Sequence, residues 1–179
     1  MTAGEAQATD SGRAPVVVVM GVTGSGKTTV GKRLADRLEV EYGEADDFHP
    51  QVNVDKMAAG EPLDDDDRAP WLAAIGSWMA ERGEHGAVVS CSALKRQYRD
   101  TLRDAAPGAV FLHVHGTREL LEERLEGRSG HFMPPSLLTS QLETLEPLQD
   151  DEAGVTVDVR LPPDEVVEQF VEWWEQQAR

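Results

Sequence analysis

The sequence has a single cysteine, Cys91, among its 179 residues. One thiol can form neither an internal disulfide nor a cysteine-based zinc site. No apolar run approaches the roughly 20 residues that span a bilayer. Residues 1–14 also lack the basic and apolar segments of a signal peptide, so they are expected to form a disordered tail. These absences predict a soluble, cytoplasmic protein.

Basic residues are scarce. The chain has 17 Lys and Arg against 33 Asp and Glu, which gives a formal net charge of −16. Such a surface repels nucleic acid and anionic membranes, so neither is expected as a partner. A nucleotide is also an anion, and a nucleotide site in this chain must therefore be a local basic island.

A glycine-rich segment that contains Lys27 is a candidate for this nucleotide site. Residues 21–28 read GVTGSGKT, the G-x-x-x-x-G-K-[ST] pattern of a phosphate-binding P-loop. A β-branched run at 16–20 precedes it and a helical pattern at 29–38 follows, as a P-loop requires. Lys27 should reach the β- and γ-phosphates, while the Thr28 hydroxyl should bind Mg²⁺. The predicted ATP-phosphate ligands are Gly21, Thr23, Gly24, Ser25, Gly26, Lys27, Thr28 and Thr29.

The rest of the chain alternates between strand and helix patterns. Strands are predicted at 16–20, 39–42, 87–91, 109–114 and 155–159. Helices are predicted at 29–38, 51–59, 71–82, 94–103, 119–125, 137–145 and from 163, while 62–68 is predicted to be a loop. This alternation predicts one α/β domain over 15–179, a P-loop fold with a five-stranded parallel sheet flanked by helices. The Gly- and Pro-rich residues 126–136 lack periodicity, which predicts a mobile lid.

A P-loop alone does not separate a kinase from a GTPase or a motor. The Asn-Lys-x-Asp segment typical of guanine-specific proteins is absent. A small-molecule kinase needs an acidic group at the acceptor hydroxyl, cations for the γ-phosphoryl charge and a lid that excludes water. Glu44 and Asp46 follow the second strand, where the carboxyl ends of parallel strands line the ligand crevice. One carboxylate can accept the proton of the hydroxyl and the other can support Mg²⁺ through water.

Several basic residues stand near predicted loops or helix ends. Arg124 and Arg128 are four residues apart beside the predicted lid, so both can lie on one helical face and clamp ATP. Surface ion pairs with Glu122 and Glu126 are the alternative. If the acceptor is itself an anion, its carboxylate can be bound by Lys56, Arg68 and His131.

Longer motifs add a resemblance. DDFHP at 46–50, CSALK at 91–95, RSGHFMP at 128–134 and SQLETLE at 140–146 are together similar to the gluconokinase family, and the similarity runs from about residue 16 to 159. It implies ATP-dependent phosphorylation of D-gluconate to 6-phospho-D-gluconate, a fold like that of nucleoside-monophosphate kinases and shikimate kinase, and often a homodimer. Glu44 departs from the family, whose members often have Asp at this position.

The resemblance also implies roles for individual residues. It makes Asp46 the residue that contacts the reacting hydroxyl, and it assigns Arg124 and Arg128 to ATP. Lys27, Asp46 and Arg128 form the implied catalytic set. The residues that it places around gluconate are His49, Lys56, Arg68, His131 and Gln141. Two alternatives stay open at this point, a kinase of another polyol acid such as shikimate and an ATP-binding regulatory module.

Overall fold

The computed structural model describes residues 14–126 and 135–177. Within these ranges, five parallel strands form one sheet in the order β2-β3-β1-β4-β5. The strands are β1 (Val16–Met20), β2 (Glu41–Glu44), β3 (Ala87–Ser90), β4 (Val110–His115) and β5 (Gly154–Asp158). The predicted α/β P-loop fold with a five-stranded parallel sheet is therefore confirmed. The segments 1–13 and 127–134 lie outside the described residues, and they include nearly all of the predicted tail, most of the predicted lid, Arg128 and His131.

Helices connect the strands. They are α1 (Lys27–Leu38), α2 (Gln51–Ala58), α3 (Asp65–Glu81), α4 (Arg96–Ala105), α5 (Arg118–Glu126), α6 (Pro135–Thr144) and α7 (Pro163–Gln177), with a 3₁₀ helix at Ala45–Phe48. α3 begins six residues before the predicted start at Trp71, so the predicted loop at 62–68 is wrong in its second half. The reason is a capping box, in which the Asp64 side chain accepts from the Asp67 amide and Asp67 accepts from the Asp64 amide. This exchange satisfies amides that would otherwise be unpaired at the helix start.

Apolar layers cover both faces of the sheet. β1 is buried along its whole length, and its alternate residues face opposite layers. Val17 and Val19 pack in the layer that contains Leu34 of α1 and Phe170 of α7. Val18 and Met20 pack in the other layer, which contains Ile75 of α3. Because β1 is central, the loop that follows it opens at the middle of the carboxyl edge of the sheet.

No helix in 14–126 or 135–177 is long and apolar enough to cross a bilayer.

Cys91 is buried directly after β3, and this burial raises the pKa of its thiol to about 12. A thiol with so high a pKa stays protonated at neutral pH, so Cys91 is a packing residue rather than a nucleophile.

Candidate active site

The loop between β1 and α1 has the backbone conformation that phosphate binding requires. Gly26 is the N-cap of α1 with φ +88°, in the left-handed region, and as a glycine it makes no side-chain capping hydrogen bond. Gly21 has φ +156°, and a Cβ there would lie 2.7 Å from the Val114 carbonyl oxygen. Ser25 closes the loop by donating from Oγ to the Val22 carbonyl oxygen at 2.7 Å. The positive end of a helix that follows such a glycine turn makes a site for an anion.

Two P-loop side chains contact the surrounding structure. Nζ of Lys27 donates to the Val22 carbonyl oxygen at 3.2 Å. The Thr28 hydroxyl donates to Oε2 of Glu44 at 3.1 Å. A cavity of about 270 Å³, called here the phosphate cavity, is lined by Lys27, Thr28 and Glu44. The carboxylate at the end of β2 therefore faces the P-loop, as the sequence predicted.

Tyr42, on the same strand as Glu44, contacts the Glu44 carboxylate and is itself in contact with Ser90 of β3. The Tyr42 hydroxyl lies 2.7 Å from Oε2 of Glu44 and 2.8 Å from Oγ of Ser90. Ser90 donates in turn to the Lys27 carbonyl oxygen at 2.9 Å. Burial raises the pKa of Tyr42 to about 12, and the Glu44 carboxylate adds to the rise. Tyr42 is therefore protonated and able to donate at neutral pH.

A second cavity, of about 460 Å³, adjoins the first and is called here the acceptor cavity. Asp46, Trp71, Ser92 and Gln141 line both cavities. Asp46 thus has the P-loop on one side and the acceptor cavity on the other. This is the position that a group contacting the reacting hydroxyl must take.

An aromatic pair forms part of the acceptor cavity wall. Trp71 donates from its indole nitrogen to the Ala45 carbonyl oxygen at 2.7 Å. The His49 ring stacks on Trp71 with centroids 4.4 Å apart and planes 8° apart. Burial lowers the pKa of His49, and Arg68 lowers it further, while Asp46 opposes both. His49 is therefore a neutral ring at physiological pH.

Cations line the acceptor cavity. Arg68 and Lys95 both lie 3.8 Å from Oδ1 of Asp65, and Arg68 also donates to the Tyr98 hydroxyl at 3.3 Å. Their charged groups lie 5.7 and 5.5 Å from the centre of the Tyr98 ring. Lys95 was absent from the predicted site. The sequence could have indicated Lys95, because it is one of the few basic residues of an acidic chain and it follows the carboxyl end of β3.

Two residues that the resemblance assigned to the acceptor have protein partners. Nζ of Lys56 lies 2.9 and 3.0 Å from the carboxylate oxygens of Asp67, and Lys56 does not line the acceptor cavity. The ion pair ties α2 to the start of α3. Oε1 of Gln141 accepts a hydrogen bond of 2.6 Å from the Thr23 amide. Gln141 thus connects α6 to the P-loop as well as lining both cavities.

Arg124 lies on the far side of the P-loop. Its guanidinium donates to the Val159 carbonyl oxygen, whereas the neighbouring Glu122 is paired with Arg118. Arg124 and Thr29 line a third cavity, of about 270 Å³. That cavity shares Gly24 and Gly26 with the phosphate cavity. Three adjoining cavities therefore run from Arg124, past the P-loop, to the cations Arg68 and Lys95.

Known proteins are similar to this chain in sequence and fold. A protein family described as an AAA domain matches residues 16–148. The chain is 50% identical to the gluconokinase of Gluconobacter oxydans over 157 aligned residues. The aligned region covers 87% of this chain and 88% of that protein. The crystal structure of a gluconokinase from Sinorhizobium meliloti has a TM-score of 0.83 at 49% identity, over 92% of this chain and 93% of that one. Shikimate kinase from Aquifex aeolicus has a TM-score of 0.58 at 16% identity, over 90% and 97% of the two chains, and so shares the fold alone.

Proposed function

Because this chain belongs to the gluconokinase family, we propose that it transfers the γ-phosphoryl group of ATP to D-gluconate, giving 6-phospho-D-gluconate. One observation supports this most directly, which is that Asp46 lines both the phosphate cavity and the acceptor cavity. A carboxylate between a P-loop and a cavity lined by cations suits phosphoryl transfer to the hydroxyl of an anion.

The P-loop side of the site suits ATP. The amino end of α1 would bind the phosphates, and Lys27 would contact the β- and γ-phosphoryl oxygens. The cavity beside Arg124 and Thr29 lies where the rest of the nucleotide would extend. Arg128 stays a predicted ATP ligand, as it lies outside the described residues.

Residues at the end of β2 and the start of α1 fit Mg²⁺. The ion prefers oxygen ligands, and the Thr28 hydroxyl and the Glu44 carboxylate offer oxygens 3.1 Å apart. Thr28 would hold the ion through a hydroxyl lone pair and keep its hydrogen for Glu44. When bound, Mg²⁺ neutralises phosphate charge. Tyr42 and Ser90 keep the carboxylate in this position.

The acceptor side of the site suits a polyol carboxylate. Arg68 and Lys95 would bind the carboxylate of gluconate, and Asp46 would accept a hydrogen bond from the hydroxyl that attacks phosphorus. A loose phosphoryl-transfer transition state needs little help from a base. The main contribution of Asp46 is therefore to orient the hydroxyl towards the γ-phosphorus.

The test is ADP release by the purified protein with Mg·ATP and gluconate, shikimate, glycerate or no acceptor. We expect stimulation by gluconate alone, with a product phosphorylated at the 6-position. Turnover with a different acceptor would keep the kinase activity and reject gluconate. ATP binding without turnover of any acceptor would favour an ATP-binding regulatory module.

Two further proposals concern assembly and location. The family resemblance implies a homodimer, which light scattering on the purified chain would test. The composition of the sequence predicts a cytoplasmic protein, which fractionation of the cells that express it would test.

A further inference from the structure

A polar side chain lies completely buried beneath the acceptor cavity. Asn53 of α2 has a relative exposure of 0%. Its Nδ2 donates to the Asp67 carbonyl oxygen at 2.8 Å and lies 3.2 Å from Nδ1 of His49. Its Oδ1 has no hydrogen-bond partner among the described residues. An unpaired buried amide oxygen costs free energy of folding. The contacts of the Asn53 nitrogen therefore point to a role for this residue beyond stability.

The hydrogen bond to the Asp67 carbonyl oxygen determines the orientation of the Asn53 side-chain amide. A carbonyl oxygen only accepts, so the NH₂ group must point to it, and the flipped amide would bring two acceptors together. The second hydrogen of Nδ2 is then left for His49. Nδ1 of His49 must accept this hydrogen, which requires an unprotonated Nδ1. In a neutral imidazole the proton then resides on Nε2.

The His49 ring is also fixed in space. Trp71 supports one of its faces and is itself held by the Ala45 carbonyl. The charged groups that act on the ring are Asp46 and Arg68. Both of them line the acceptor cavity with His49. The ring is therefore held on the cavity wall with its tautomer determined from the buried side.

We propose that Asn53 is a positioning residue, which selects the Nε2–H tautomer of His49 so that this nitrogen donates to a hydroxyl oxygen of the acceptor. Asp46 can only accept, and Arg68 and Lys95 suit a carboxylate. A polyol acid also needs neutral donors for its other hydroxyl groups, and His49 supplies one. The identity of the acceptor rests on the function proposed above, whereas the tautomer of His49 does not.

The tautomer is tested without any change to Asn53. Nitrogen NMR of the ¹⁵N-histidine-labelled protein separates protonated from unprotonated ring nitrogens. The His49 signals are assigned by their loss in His49→Phe, which keeps a ring to stack on Trp71. We expect protonated Nε2 and unprotonated Nδ1. The opposite tautomer would overturn the proposal, even if gluconate proved to be the acceptor.

A double-mutant cycle tests the consequence for binding. We expect Asn53→Ala and His49→Phe each to raise the KM of the acceptor about five- to tenfold, as the loss of one hydrogen bond does, with the KM of ATP changed less than about twofold. Because Asn53 acts through His49, the double variant should be no worse than His49→Phe. Additive effects would show that Asn53 only joins α2 to α3, and would reject the proposal. Melting temperatures serve as the folding control, and if Asn53→Ala does not fold, the NMR result decides alone.

Discussion

The Thr23 amide of the P-loop donates a hydrogen bond of 2.6 Å to the side-chain oxygen of Gln141. Thr23 is buried and Gln141 is half-buried, and both line the phosphate cavity. Gln141 belongs to α6, which follows the predicted lid in sequence. The position of the P-loop is thereby tied to a helix that also lines the acceptor cavity.

Gln141→Met should weaken the binding of both substrates. Methionine keeps the length of the side chain but leaves the Thr23 amide unpaired, which typically costs about 1–3 kcal/mol. We expect the KM of ATP to rise severalfold together with that of gluconate. Steady-state kinetics with each substrate varied in turn checks this. An unchanged KM for ATP would show that Gln141 serves the acceptor alone.

Glu44→Gln should weaken metal binding more than nucleotide binding. The amide keeps the shape of the side chain but loses the charge that faces Thr28. We expect the affinity for Mn²⁺ in the presence of ADP to fall about tenfold, measured by electron paramagnetic resonance. Glu41→Gln is the matched control, since Glu41 lies on the same strand and pairs with Arg82 instead. Equal effects of the two substitutions would mean that Glu44 acts only through net charge.

Asp46→Asn should reduce turnover while ATP binding is kept. General acid–base groups typically contribute about 10²–10⁴-fold, and we expect a loss of kcat near the lower end because the transition state is loose. Asp47→Asn, at the exposed neighbouring residue, is the control and should stay close to the unsubstituted protein. Normal kcat in a folded Asp46→Asn protein would remove Asp46 from the mechanism.

Arg68→Gln should act on the acceptor. Loss of a charge-assisted bond to a carboxylate typically costs about 1.5–3 kcal/mol, so we expect the KM of gluconate to rise more than about tenfold while the KM of ATP changes little. Arg33→Gln removes an arginine from an exposed pair with Asp164 and serves as the control. If the KM of ATP rose equally, Arg68 would be a nucleotide ligand.

A buried ion pair should make stability fall in acid. Arg99 donates to Glu152 at 2.7 and 3.0 Å, and both side chains have 0% exposure. Burial alone would raise the pKa of Glu152, but the bonds from Arg99 and the Gln149 amide lower it from 4.5 to about 2. A lowered pKa stabilises the folded state above the unfolded-state pKa. About 3 kcal/mol should therefore be lost as the pH falls from about 4.5 towards 2.

Urea unfolding at pH 7 and pH 3 measures the part of this loss that is reached by pH 3, about 2 kcal/mol, and Glu152→Gln provides the control. The variant leaves Arg99 buried without its countercharge, which typically costs about 3–5 kcal/mol at neutral pH. Its difference from the unsubstituted protein should shrink as Glu152 becomes protonated. A difference that stays constant between pH 7 and pH 3 would contradict the low pKa of Glu152.

Sequence reasoning located the fold and the P-loop because both depend on local patterns. β1 is a β-branched run and the glycines follow it directly, so strand, loop and helix were each visible in a few residues. The predicted start of α3 is too late because Asp64 and Asp67 also fit a loop whose acidic residues cap the helix that follows. Their reciprocal hydrogen bonds only become evident once the backbone is helical.

The acceptor side depended on contacts between distant residues. Lys56 looked like a free cation in the sequence, but Asp67, eleven residues later, is its partner. Gln141 and Thr23 are 118 residues apart, and no local pattern indicates such a bond. No role of Asn53 was predicted, because the role depends on its contacts with the His49 ring and with the Asp67 carbonyl oxygen of α3.

Trp71 gives the molecule a built-in optical probe. Its indole lies on the wall shared by the phosphate and acceptor cavities, and it is only 6% exposed. The emission of an indole depends on the polarity and the charges around it, and both change when an anion enters either cavity. Replacing Trp78, Trp173 and Trp174 by phenylalanine would leave one fluorophore at the reaction centre, so that the filling of the site could be followed in real time without a label.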